Sequence, residues 1–74
     1  MEITVKLFAM FRIGRFAAAR KQCEPGTVPA DIANGLNIPE KDIGIVLVNG
    51  RHARLDHQLS DGDTLSLFPL VGGG

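Results

Sequence analysis

The sequence predicts an α+β fold: a mixed sheet of four to five strands with one main helix packed on one face. Three observations carry that expectation. Apolar residues alternate at the start, recur at a spacing of four near the middle, and form two later runs bounded by Asn-Gly and Asp-Gly-Asp. From Glu2 to Phe8, the residues Ile3, Val5 and Leu7 point one way and Thr4, Lys6 and Phe8 the other, as in a half-buried strand. Gly14 punctuates the chain, and Arg15 to Cys23 reads as a second strand running back. Glu24-Pro25-Gly26 is a turn signal. Thr27 is expected to cap a helix whose first turn suits Pro29 and Asp31. Val28, Ile32 and Leu36 line one face of that helix, Asn34-Gly35 limits it, and Pro39 stops any continuation. Ile45 to Val48 is a continuous apolar run, expected as a central strand buried on both faces. Asn49-Gly50 behind it is a strong hairpin signal. A loop through Leu55 to Leu59 and a turn at Asp61-Gly62-Asp63 lead to the last strand, Thr64 to Phe68, with Leu65 and Leu67 facing inward.

Strand, strand, helix, strand and closing strand in so short a chain is the order of a ubiquitin-like β-grasp. The 74 residues bound one domain, expected over residues 1–71, with residues 72–74 as a flexible glycine tail. Eight basic residues balance eight acidic ones, which argues against a domain built to grip nucleic-acid phosphates. The 45% hydrophobic content supplies a core and excludes a disordered chain. No apolar stretch reaches the roughly 18–20 residues of a membrane span, and Met1-Glu2-Ile3 does not open a signal peptide. A cytoplasmic protein without a membrane partner, monomeric when free, is expected. The single cysteine, Cys23, rules out a disulfide staple and four-thiolate metal sites within one chain, and reads as a semi-buried structural thiol.

The chain ends Phe68-Pro69-Leu70-Val71-Gly72-Gly73-Gly74. Termini often fray, and glycine permits it. Glycine also lacks a Cβ, so a run of it passes through a channel too narrow for other residues. Three extended residues reach roughly 10 Å, enough to carry a carboxylate into a partner's active site.

The stretch from Leu55 to Gly73, with Asp56-His57, Leu59, Asp61-Gly62-Asp63 and Phe68-Pro69, resembles the end of the molybdopterin synthase small subunit, a ubiquitin-like sulfur carrier. Val5 to Arg12 is similar to that family's first strand and following turn, and Val48-Asn49 falls where the family often has Val-Asn. Leu70 stands in place of a second proline, the helix region is short, and three glycines replace the usual two. Proline would fix φ near −65° and stiffen the exit of the tail, so leucine is expected to leave it freer. The thiamine-pathway sulfur carrier and the archaeal ubiquitin-like modifiers share the fold and the Gly-Gly end.

The resemblance implies a carrier and cosubstrate rather than an enzyme. A free α-carboxylate, with a pKa of about 3.3–3.7, is an anion in the cell and a poor electrophile. An activating adenylyltransferase related to ubiquitin activators is implied to adenylate Gly74 with ATP. A persulfide-derived sulfur then displaces AMP to leave a thiocarboxylate. Gly72 and Gly73 would thread the tail into the molybdopterin synthase large subunit or, in the rival pathway, a thiazole synthase. No bound cofactor and no metal are expected.

Ordering three glycines costs roughly 1–2 kcal/mol each, so a docking patch on the folded body is expected to offset the threading. Phe8 and Phe68 share parity with polar neighbours, and parallel first and last strands would bring both rings onto the helix-free face. Leu59 and Leu70 are expected to extend this partner-binding patch, Leu59 because it matches a contact position of the family. Arg12 is a candidate for an acidic partner or a solvated charge. His52 and His57 lie five residues apart in a loop, a spacing that fits no helical or hairpin ligand pair, and read as surface histidines. Two other classes stay open: a protein modifier joined to lysines through Gly74, and a plain binding module on the same fold. Neutral charge and the glycine tail argue against the second.

Overall fold

A computed structural model describes residues 1–71. The strands are β1 (Glu2–Leu7), β2 (Ala18–Gln22), β3 (Ile43–Val48), β4 (Arg51–His52) and β5 (Thr64–Pro69), and the helix α1 spans Pro29–Gly35. Among the described residues they form one sheet in the order β2-β1-β5-β3-β4. The first and last strands lie parallel at its centre, Val5 beside Leu65 and Leu7 beside Leu67, and the other neighbours are antiparallel. This is the expected mixed sheet of a ubiquitin-like β-grasp.

The alternation in β1 and β5 sets the layers. Ile3, Val5, Leu7, Leu65 and Leu67 are fully buried under α1, while Thr4, Ser66 and Phe68 stay partly exposed on the opposite face. Removing a side chain such as Leu67 at this depth costs about 2–5 kcal/mol.

The expected central strand is corrected on two counts. β3 is flanked by β5 and the two-residue β4, so β5 holds the centre. Only Val46 and Val48 of its apolar run are buried; Ile45 is 41% exposed and Leu47 half-buried. One helix covers one face, so only alternate residues of β3 can reach the core. β2 is also shorter than expected, because Arg15 turns away from the strand. Its guanidinium donates to the carbonyls of Leu36 (2.9 Å), Asn37 (3.2 Å) and Phe11 (3.2 Å), capping the end of α1.

Val28, not Thr27, is the N-cap of α1. The Thr27 hydroxyl instead donates to the Glu24 carbonyl at 2.7 Å and closes the Pro25-Gly26 turn. The Asp31 carboxylate accepts the Val28 N–H at 3.0 Å, and Pro29 occupies the first turn, where a missing N–H is harmless.

The two turn motifs in the second half of the chain fasten onto each other. Asn49 adopts a left-handed φ of 53° ahead of Gly50 at 80°, which makes the β3–β4 hairpin. Its side-chain amide donates to Asp63 at 2.8 Å, and its side-chain oxygen accepts the Thr64 N–H at 2.9 Å. Asp61 accepts the Glu2 N–H at 2.7 Å, and the Gly62 N–H donates to the Glu2 carbonyl at 2.8 Å. Asn49→Gly keeps the backbone conformation and removes both side-chain bonds. It is expected to cost about 1–2 kcal/mol in denaturant unfolding; an unchanged midpoint would show that solvent replaces those bonds at no cost.

Candidate functional site

The helix-free face carries an aromatic pair where β1 and β5 end together. Phe8 and Phe68 stack with ring centroids 4.1 Å apart and planes within 10°. The parallel register that pairs Leu7 with Leu67 brings the next residue of each strand side by side. The Arg12 guanidinium lies 5.3 Å from the centre of the Phe8 ring, and its Nε donates to the Leu7 carbonyl at 2.7 Å. Arg12 is therefore fixed at the rim of the aromatic pair through its own stem.

A mainly apolar groove of about 290 Å³ opens beside the pair. Phe8, Ala9, Gly44, Ile45, Phe68, Pro69, Leu70 and Val71 line it. Leu70 is 53% and Val71 86% exposed, so the groove runs to the last described residues. The expected grouping of Phe8, Phe68 and Leu70 is present. Leu59 is a correction: it is 5% exposed and belongs to the core. Its N–H donates to the Thr27 carbonyl at 3.0 Å, which draws the loop under the start of α1 and turns the side chain inward. Gly72, Gly73 and Gly74, the expected threading and acceptor residues, lie outside the described residues.

Leu70 is not the loose exit expected from the loss of a proline. Proline has no N–H, whereas that of Leu70 donates to the Asp42 carbonyl at 2.9 Å and holds the chain against β3. Ile45, Gly44 and Ala9 are groove residues that sequence reasoning missed. Ile45 pairs directly with Phe68, but a register shift between Ile43 and Ile45 hides that pairing from a count of alternating positions.

Ala9 sits in the left-handed region at φ 51°, where an L side chain is strained. Ala9→Gly is expected to raise unfolding stability by up to about 1 kcal/mol by relieving that strain. A lower denaturation midpoint would mean that the Ala9 methyl packs favourably enough to outweigh it.

His52 and His57 border a separate, exposed cleft of about 670 Å³ with Arg51, Arg54 and Asp56. Arg54 and Asp56 pair at 3.1 Å with side chains 86% and 73% exposed, so water competes for both. Among the described residues no cluster of His, Cys, Asp or Glu could hold a metal ion. Cys23 is half-buried and packs against the core, its thiol 3.9 Å from the Lys21 carbonyl. No helix among the described residues is long and apolar enough to cross a membrane.

A family model described as the ThiS family matches residues 5–74. Among solved structures, a candidate molybdopterin converting factor subunit 1 from Pyrococcus furiosus is 26% identical with a TM-score of 0.77, covering 96% of this chain and 99% of its own. Small archaeal modifier protein 1 of Haloferax volcanii is 25% identical with a TM-score of 0.75, covering 95% and 98%. A complex of subunits 1 and 2 of molybdopterin-converting factor from Helicobacter pylori contains a chain 21% identical, with a TM-score of 0.66 and full coverage of both, a likeness in fold alone. A search of curated proteins gives no match.

Proposed function

Because the chain belongs to the ThiS family, we propose that it is a sulfur carrier whose Gly74 carboxylate is adenylated and converted to a thiocarboxylate. The observation that carries this reading is the extent of the family match, which runs through the three glycines to residue 74. The apolar groove at residues 68–71 supports it, because threading a glycine tail needs contacts on the folded body.

An adenylyltransferase supplies ATP and the active site. The carboxylate attacks the α-phosphate, pyrophosphate leaves, and the acyl adenylate becomes the electrophile the carboxylate was not. The outer sulfur of a partner's persulfide then displaces AMP to give an acyl disulfide, and a second partner thiol cleaves its S–S bond, becoming oxidised to a disulfide and releasing the thiocarboxylate. The carrier contributes the group and its delivery, while its partners contribute catalysis. Phe8, Phe68 and Leu70 are the body's contacts to those partners. Molybdopterin synthesis is the favoured pathway, on the resemblance of Asp56-His57 and Phe68-Pro69 and the likeness to a candidate converting-factor subunit 1.

A second reading, a modifier that forms isopeptide bonds through Gly74, is favoured by the likeness to small archaeal modifier protein 1. Intact-mass measurement after incubation with ATP, an activating enzyme and a sulfur donor separates the two. The carrier reading predicts replacement of one carboxylate oxygen by sulfur. Lysine-linked adducts in lysate, with no thiocarboxylate, would shift the conclusion to the modifier. Mixing the thiocarboxylated chain with a molybdopterin synthase large subunit and, separately, a thiazole synthase then tests the pathway.

A further inference from the structure

Gly44 differs from the glycines at 14, 26, 50 and 62, which adopt left-handed φ values between 70° and 89°. Its own φ lies outside that region, so conformational freedom does not account for glycine there. Space does. A Cβ at this position would lie 2.9 Å from the Pro69 carbonyl oxygen, 3.0 Å from the Leu70 Cα and 3.1 Å from the Leu70 nitrogen. These are backbone atoms, which cannot swing aside as the end of a long side chain can.

We propose that Gly44 is the positioning residue for the tail: its missing side chain lets Pro69 and Leu70 lie flat against β3 and fixes where the following residues leave the fold. The inference rests on the carrier reading for its consequence and on geometry for its cause. The β3–β5 register pairs Ile43 with Pro69 and Ile45 with Phe68, leaving Gly44 as the extra residue of a bulge. One residue before that bulge pairing, the Asp42 carbonyl accepts the Leu70 N–H at 2.9 Å. Val71, the next residue, is 86% exposed. The bulge and this hydrogen bond thus define the root of the tail, and Gly44 is the position at which a single added carbon would move it.

Displacing the root matters more to the reaction than to docking. Phe8 and Phe68 hold the partner through the sheet face, whereas the reacting carboxylate lies at the far end of a short segment. A misplacement of about 1 Å at a reacting group can cost about 100-fold in rate.

The test compares the unaltered chain with Gly44→Ala. In the free proteins, hydrogen exchange of the Leu70 amide is expected to accelerate about 10-fold or more in Gly44→Ala while unfolding stays cooperative. With the activating enzyme, kcat for ATP–pyrophosphate exchange is expected to fall about 10-fold or more, while KM for the chain rises by less than kcat falls, because Phe8 and Phe68 keep their places and only the Leu70 contact is displaced. Unchanged Leu70 exchange, an unchanged kcat, or loss of cooperative unfolding in Gly44→Ala would each overturn the proposal. Absence of exchange by the unaltered chain removes the carrier reading instead, and the Leu70 amide then decides the positioning by itself.

Discussion

Deletion of Gly74 is expected to abolish ATP–pyrophosphate exchange with the cognate activating enzyme and to leave the melting temperature unchanged. On the carrier reading the chemistry requires a carboxylate at the α-phosphate. Shortening the chain by one extended residue withdraws that carboxylate by about 3.3–3.6 Å, far beyond attacking distance. Among the described residues the core of β5 is built on Leu65 and Leu67, whose side chains are fully buried. The last main-chain anchor of the described chain is the Leu70 N–H on Asp42. Undiminished exchange by the shortened chain would remove the thiocarboxylate reading, whatever the pathway.

Phe68→Arg is expected to weaken binding to the large-subunit or activating partner by about 2 kcal/mol or more, the loss typical of a buried aromatic hot spot. The free protein also pays something, because Phe68 is half-buried and stacked at 4.1 Å on Phe8. Losing a stacked pair costs about 0.5–1.5 kcal/mol beyond area burial, so a stability loss of about 1 kcal/mol is expected. Leu67→Ala, one residue away on the buried face, is the contrast, with about 2–5 kcal/mol lost in unfolding. Titration of the partner by calorimetry, alongside denaturant unfolding, separates the two effects. Equal partner affinity in Phe68→Arg would show that the helix-free face is not the docking surface.

The motifs most similar to the molybdopterin synthase small subunit turn out to hold the fold together. Asn49, Asp61, Gly62 and Asp63 bond to one another's strands and to Glu2, tying the β3–β4 hairpin and the start of β5 to the beginning of β1. Such residues announce the architecture through the bonds they make between strands. The groove lies at the other end of β5, and three of its lining residues, Ala9, Gly44 and Ile45, are of types that mark no site by themselves.

Local physics written in the sequence determined the order of the elements. Alternation placed Ile3, Val5, Leu65 and Leu67 in the core, and Asn49-Gly50 specified a hairpin, because side-chain period and turn chemistry act over a few residues. The parallel pairing of β1 with β5 brought Phe8 against Phe68, as parity anticipated. Only the tertiary structure decided where competition between distant groups fell. Leu59 went inward because the Thr27 carbonyl, far away in the chain, holds its backbone N–H. Ile45 faced outward because one helix covers one face of the sheet, and Leu70 was fastened because a bulge at Gly44 brought Asp42 within reach. A residue's burial on an amphipathic strand is local, but the partner of a backbone N–H across a bulge depends on chain segments brought together only by folding.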